Sequence, residues 1–349
     1  MAKVGEFATG WGHGYDFWSD RTFDDLVNVA KGGHLFVPVF RPFDYIEAPN
    51  TLVNILSATT NRMGVDAPRG TQATFHRNVD FEEIFFQWAG ETSYETEMGS
   101  ITTKSADLLL IPSGLAHRAT GSSDSLRMSI RVNDPLTMNY DEQKLIGQTE
   151  YHMKRVGGQD WPAPSGVPPR GRVLEALHTW DDRPGDETLM EREYDRYVGA
   201  TSKGRQLQKI RTFDVFHEVT GRNGPGPVIL QNDHFRFEAF NSTGVQYAFH
   251  RGNRSDEAQF QYVGPADNHS EYGLDRLDAG DLAIVRRGVA HRVTGSMTYR
   301  RITFYSKERW EVVIDPANPP RRTTFETGET IVEKAPWRDQ MAIPQEAAK

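Results

Sequence analysis

The chain has 349 residues, a net charge of −8 and no cysteine. With a pI near 5.8 it lacks the basic stripe that phosphate binding needs, so nucleic acid is an unexpected partner. Without cysteine, disulfides and thiolate chemistry are excluded, and any metal must sit on nitrogen and oxygen ligands. No apolar run approaches the ~20 residues needed to cross a bilayer, and Met1 to Glu6 lack the apolar core of a secretory signal. These readings predict a cytoplasmic protein of two or three domains, with no membrane partner.

In chain order, residues 22–31 predict a helix: Thr22 caps it, Asp24 and Asp25 lie in its first turn, and Gly32 and Gly33 stop it. From Leu35 to Phe40 the pattern turns to short strands. Residues 107–111 (DLLLI) read as a buried strand ending in the turn Pro112, Ser113, Gly114. Leu126, Met128, Ile130 and Val132 alternate with polar residues, as a strand with one core face should. Residues 141–146 predict a short helix, and the Pro- and Gly-rich run 162–171 predicts a connector. The tail beyond Asp315, with Pro316, Pro319 and Pro320, is expected to wrap the surface or a partner subunit.

One stretch occurs twice. Its first copy opens Phe75, His76, Arg77, runs through Glu83, Gln87 and Gly90, and closes Gly114, Leu115, Ala116, His117, Arg118. The second opens Phe249, His250, Arg251, runs through Glu257, Gln261 and Gly264, and closes Gly288, Val289, Ala290, His291, Arg292. The shift is 174 for the first histidine (250 − 76) and 174 for the second (291 − 117), without a gap. Chance does not hold register over so many positions, so the chain carries two copies of one structural unit. Short strands separated by Gly and Pro predict a small barrel or sandwich for each. The expected divisions are an N-terminal unit over 1–134, a linker over 135–207, a C-terminal unit over 208–315 and a tail over 316–349.

Each copy offers two imidazoles and one carboxylate. Side chains two apart on a strand share a face, so Glu83 and Gln87 point one way and Glu82 the other. Glu83 and Gln87 recur as Glu257 and Gln261, which favours Glu83 and Glu257 as inward ligands; Glu82 is the alternative acid if a bulge shifts the parity. The candidate metal ligands are therefore His76, Glu83 and His117, with His250, Glu257 and His291 as a second candidate site. Asn78, Gln87, Asn253 and Gln261 are candidates to bond the ligands from behind, and Gln87 and Gln261 could equally bond neighbouring strands. Two neutral nitrogens and one carboxylate on one face leave adjacent positions open, the arrangement in which non-haem Fe(II) takes substrate and dioxygen side by side. Arg77 and Arg118 should face away into ion pairs, while Tyr94 or His269 could assist proton transfer.

These residues resemble the paired metal-binding motifs of the cupin superfamily, His-x-His-x(3–4)-Glu-x(6)-Gly and Gly-x(5)-Pro-x-Gly-x(2)-His. The first copy reads His76, Asn78, Glu83, Gly90, then Ala106, Pro112, Gly114, His117; the second reads His250, Glu257, Gly264, then Gly280, Arg286, Gly288, His291. Ala106, Arg286 and Gly252 depart from the pattern. Asn78 in place of the motif's second His is similar to the homogentisate and hydroquinone dioxygenase branch. That resemblance implies an all-β protein of tandem double-stranded β-helix (jelly-roll-like) barrels with a few short helices. It also implies Fe(II), and O2-dependent cleavage of a dihydroxylated aromatic ring. A homo-oligomer is implied as well, with a small companion subunit as a further option. In that branch iron sits in the C-terminal copy, whereas the cleaner motif here is N-terminal, so the first triad leads. The rival readings are a two-cupin decarboxylase or isomerase using Mn or Zn, and a non-catalytic ligand-binding protein.

Overall fold

The structure, a computed structural model, describes residues 6–8, 14–17, 37–72, 75–78, 80–96, 99–138, 147–148, 172–178, 187–193, 207–213, 219–220, 228–245, 250–252, 254–270, 273–289 and 291–314. The helices expected over 22–31 and 141–146, the connector over 162–171 and the tail beyond Asp315 lie outside these residues. The chain is all-β, as expected; among the described residues the one helical segment is a single 3-10 turn, Pro42–Tyr45, opened by its proline. No helix there is long and apolar enough to cross a membrane.

The repeat is visible strand by strand. Glu82–Ala89 recurs 174 residues later as Asp256–Val263, Glu91–Thr96 as Ala266–Ser270, and Asp107–Ile111 as Leu282–Val285. Pairing recurs too. Glu82–Ala89 lies between Asp107–Ile111 and Leu126–Val132, and Asp256–Val263 between Leu282–Val285 and His291–Ser306. The first copy forms two facing sheets, one carrying Glu82–Ala89 and one carrying Glu91–Thr96 and His117–Gly121. In the second copy the long strand His291–Ser306 serves both sheets, running on where the first copy breaks into His117–Gly121 and Leu126–Val132.

Alternation along Glu82–Ala89 sets the architecture. Residues 82–87 are buried on both faces, with Ile84, Phe85 and Phe86 following directly on the strand's two acids. Phe85 joins Tyr94, Leu109, Ile111, Leu115 and Ala119 in a cluster inside the first barrel. Ile84 and Phe86 face the other way and join Ala258, Phe260, Ile284 and Phe304 of the second copy in one shared core. The barrels thus pack back to back through the outer faces of these sheets. Each fully buried aromatic there, such as Phe86, contributes roughly 2–3 kcal/mol by leaving water.

Strand exchange ties the copies further. Val39–Phe40 hydrogen-bonds to Leu282–Val285 of the second copy, and Glu311–Val312 to Val53–Ser57 of the first. Gln208–Arg211 pairs with Asp107–Ile111, and Thr137–Met138 with Val228–Gln231. Within the span read as a linker, Arg172–His178 runs parallel to Phe75–Asn78, placing Leu174 opposite His76.

Candidate metal centre

His76 and His117 sit directly across from each other on paired antiparallel strands, and their ring centroids are 4.3 Å apart. Glu83 comes from the facing sheet, where it pairs in register with Ile111 and Arg131. The ligating atoms of His76, Glu83 and His117 all lie within 4.8 Å of one another. Glu83 and His117 are buried, whereas His76 keeps some contact with solvent and so marks the mouth of the group. Glu82 points to the opposite face, where its carboxylate accepts the Leu136 backbone N–H at 2.8 Å.

The protons on this triad follow from its neighbours. His117 Nδ1 lies 3.0 Å from the Leu115 carbonyl oxygen, which can only accept, so that nitrogen carries a hydrogen and Nε2 is the atom turned toward Glu83. Nε2 lies 3.1 Å from Glu83 Oε2, and neither atom has a hydrogen-bond partner of acceptable geometry. Burial, reinforced by the charge on His117, pushes His76 down to about 3, so its ring is neutral near pH 7. Burial alone would raise Glu83, but the facing His117 and the Arg131 guanidinium outweigh it and hold the carboxyl at about 2. Arg131 Nε is 3.6 Å from Glu83 Oε1. A neutral His76 and an ionised Glu83 are in the protonation states that a divalent cation requires of its ligands.

The second copy repeats the backbone and changes the chemistry. His250 pairs in register with His291, as His76 does with His117. His291 Nδ1 lies 3.2 Å from the Val289 carbonyl oxygen, and Nε2 lies 3.3 Å from Glu257 Oε2. Here, however, the amide Nε2 of Gln259 sits 3.1 Å from both atoms. The residue in register in the first copy is Phe85, which has no such donor.

The remaining sequence candidates fall as follows. Gln87 bonds the Ala89 carbonyl and Ser125, and Gln261 bonds the Val263 and Gly264 carbonyls, so both amides hold neighbouring backbone. Asn78 is buried, and its backbone carbonyl accepts the Gly114 N–H at 2.6 Å; Asn253 lies outside the described residues. At Gly252, the counterpart of Asn78, a Cβ would sit 3.2 Å from Glu257 Oε1. Arg118 pairs with Glu95 at 2.6 Å, as expected of an outward arginine. Arg286, which replaces the motif proline, pairs with Asp256 at 2.7 Å. Tyr94 is fully buried, and its hydroxyl is pushed up to about 12 chiefly by burial, so it holds its proton near neutral pH. His269 bonds the Thr294 hydroxyl at 3.1 Å.

Sequence reasoning missed Arg131 behind Glu83 and the change from Phe85 to Gln259. The signal for the second was present: the same 174-residue shift, applied to non-motif positions, shows it.

No family model matches the chain, and no curated protein matches it. Among solved structures it is similar to a cupin 2 conserved barrel domain protein from Leptotrichia buccalis, at 8% identity over 78% of this chain and 97% of that one, with a TM-score of 0.43. It is similar also to a mutant of Bacillus subtilis oxalate decarboxylase, at 12% identity over 81% of this chain and 80% of that one, TM-score 0.38. A third is AerE from Microcystis aeruginosa, at 10% identity over 78% and 99%, TM-score 0.41.

Proposed function

We propose that this is a two-cupin protein whose first barrel holds one divalent metal ion on His76, Glu83 and His117, and that with Fe(II) it is a ring-cleaving dioxygenase of a dihydroxylated aromatic. The observation that carries the metal reading is the pair His117 Nε2 and Glu83 Oε2. These two buried atoms face each other at 3.1 Å without a hydrogen bond, beside a neutral third ligand. A cation satisfies all three at once, and the set of two nitrogens and one carboxylate matches the facial arrangement used by non-haem iron. The resemblance of the His76, Arg77, Asn78 string to the hydroquinone and homogentisate branch supports the choice of reaction.

Bound Fe(II) would supply the redox chemistry that lets dioxygen react with a phenolic ring. The protein's part is positioning. The Leu115 carbonyl holds the His117 ring orientation, and His117 together with Arg131 keeps Glu83 ionised. Phe85, Leu109, Ile111 and Leu115 line the barrel beside the triad and keep water from it, leaving entry on the side of His76.

The test is anaerobic loading of the full chain with Fe(II), metal counting, and oxygen uptake with a panel of dihydroxyphenols. The expected result is about one iron per chain, lost in both His117→Ala and Glu83→Ala, with uptake on at least one phenol. Iron retained by both variants would overturn the site. Iron bound with no uptake on any phenol would remove the dioxygenase reading.

A further inference from the structure

The barrels diverge inside at positions that the 174-residue shift places in register. In the first, Arg127 is answered by Asp66 in a bidentate pair, Nε to Oδ1 at 2.8 Å and Nη2 to Oδ2 at 2.7 Å. Its Nη1 donates to the Tyr94 hydroxyl at 2.5 Å, and its guanidinium lies 4.0 Å from the centre of the Phe85 ring. In the second barrel the arginine persists as Arg301, while Asp66, Phe85 and Tyr94 become Phe240, Gln259 and Asn268.

Arg301 is 2% exposed, and among the described residues no carboxylate pairs with it. Its Nη1 donates to Gln259 Oε1 at 3.1 Å, its guanidinium lies 4.7 Å from the centre of the Phe240 ring, and its Nε–H has no hydrogen-bond partner. A buried guanidinium facing an aromatic ring and one amide is costly unless an anion completes its shell. Beside it, Asn268 is fully buried; its Nδ2 lies 3.5 Å from Gln259 Oε1 and its Oδ1 accepts from nothing.

Gln259 joins these groups in one orientation. Arg301 can only donate, so the carbonyl end of Gln259 must face it. The NH2 end then turns to Glu257 Oε2 and His291 Nε2, occupying the lone pairs that a metal would need. The wall alongside is shorter than in the first barrel. Ala283 and Val285, the register partners of Gln259 and Glu257, stand where Leu109 and Ile111 stand, and Val289 stands where Leu115 does.

We propose that the second barrel is a metal-independent binding site for a small hydroxy-carboxylate. Arg301 Nε–H gives the ligand's carboxylate a charge-assisted hydrogen bond, and the orphaned Asn268 Oδ1 accepts from the ligand's hydroxyl. This stands apart from the metal reading of the first barrel, because it draws on different residues and is tested without metal.

The experiment uses the full chain, stripped with EDTA, titrated calorimetrically with lactate and salicylate, their counterparts without the hydroxyl (propionate and benzoate), and inorganic phosphate. At least one hydroxy acid is expected to bind about tenfold or more tightly than its counterpart. Arg301→Met removes the cation. Phe240→Asp instead supplies the carboxylate that Arg127 already has, and so tests the idea in a chain whose first barrel shows that such a pair is accommodated. Each is expected to weaken binding about ten- to a hundredfold, the share of one charged hydrogen bond. The proposal is overturned if neither hydroxy acid binds, if phosphate alone binds, if the hydroxyl makes no difference, if binding appears only after metal is added, or if both variants bind like the parent.

Discussion

Tyr94 shows how one buried group links chemistry to stability. Its hydroxyl is fully buried, accepts from Arg127 and is held at about 12, above the ordinary tyrosine value near 10. Between those values the unfolded chain has released the proton and the native chain has kept it. Native stability attributable to this group is therefore full below about pH 10 and lost as pH rises through 12. Denaturant titrations at pH 9 and pH 11 should show the parent losing stability over that interval, and Tyr94→Phe losing less. Equal losses in the two proteins would mean that the hydroxyl is not protected. The metal triad obeys the same residue-scale logic in the opposite direction. His76 and Glu83 reach metal-ready protonation through burial and the charges around them, and His117 supplies the third ligand atom, so removing either Glu83 or His117 should abolish metal retention rather than weaken it slightly.

Turns and close approaches decide which glycines the strands cannot give up. Gly121 ends the strand His117–Gly121, and a Cβ there would lie 1.9 Å from the Pro68 carbonyl oxygen. Backbone must move to admit it, so Gly121→Ala should cost about 3 kcal/mol or more. Gly280 has a positive φ of 93° but open space, where an added Cβ would meet only the Trp88 ring, at 3.6 Å. Gly280→Ala should cost only about 1 kcal/mol, the price of the left-handed conformation. The first copy supports that ordering, because its counterpart Ala106 already holds a φ of 72°. Chemical denaturation of both variants checks the contrast; a Gly121→Ala protein as stable as Gly280→Ala would contradict it.

At the scale of the whole molecule, the two copies share one core and clasp each other through exchanged strands. Trp310 is the clearest joint. It is 1% exposed, its indole N–H bonds Asn61 Oδ1 of the first copy at 2.5 Å, and its backbone N–H bonds Asp256 of the second at 3.2 Å. Trp310→Ala should cost about 3–5 kcal/mol, as large aromatic deletions in cores do, and should lower both barrels together. Calorimetry should show one cooperative transition for the parent and for the variant. Two resolved transitions in the parent would show that the shared core of Phe86, Phe260 and Phe304 does not couple the units.

Much was legible in the linear chain. The repeat, the all-β class and the inward parity of Glu83 over Glu82 follow from spacing and period-two alternation, which are local properties of a strand. Three things required the folded molecule. The exchange of Val39–Phe40 and Glu311–Val312 between copies depends on which sheet edges lie open after collapse, and nothing in those short segments encodes a partner. Arg131 reaches Glu83 across a strand pair, so its influence depends on register between segments about fifty residues apart. The different chemistry of the second barrel, finally, rests on Gln259 meeting Arg301, Glu257 and His291 at once. Each substitution is ordinary by itself. Only convergence in a dry interior, where an unanswered charge is costly, gives that set its meaning.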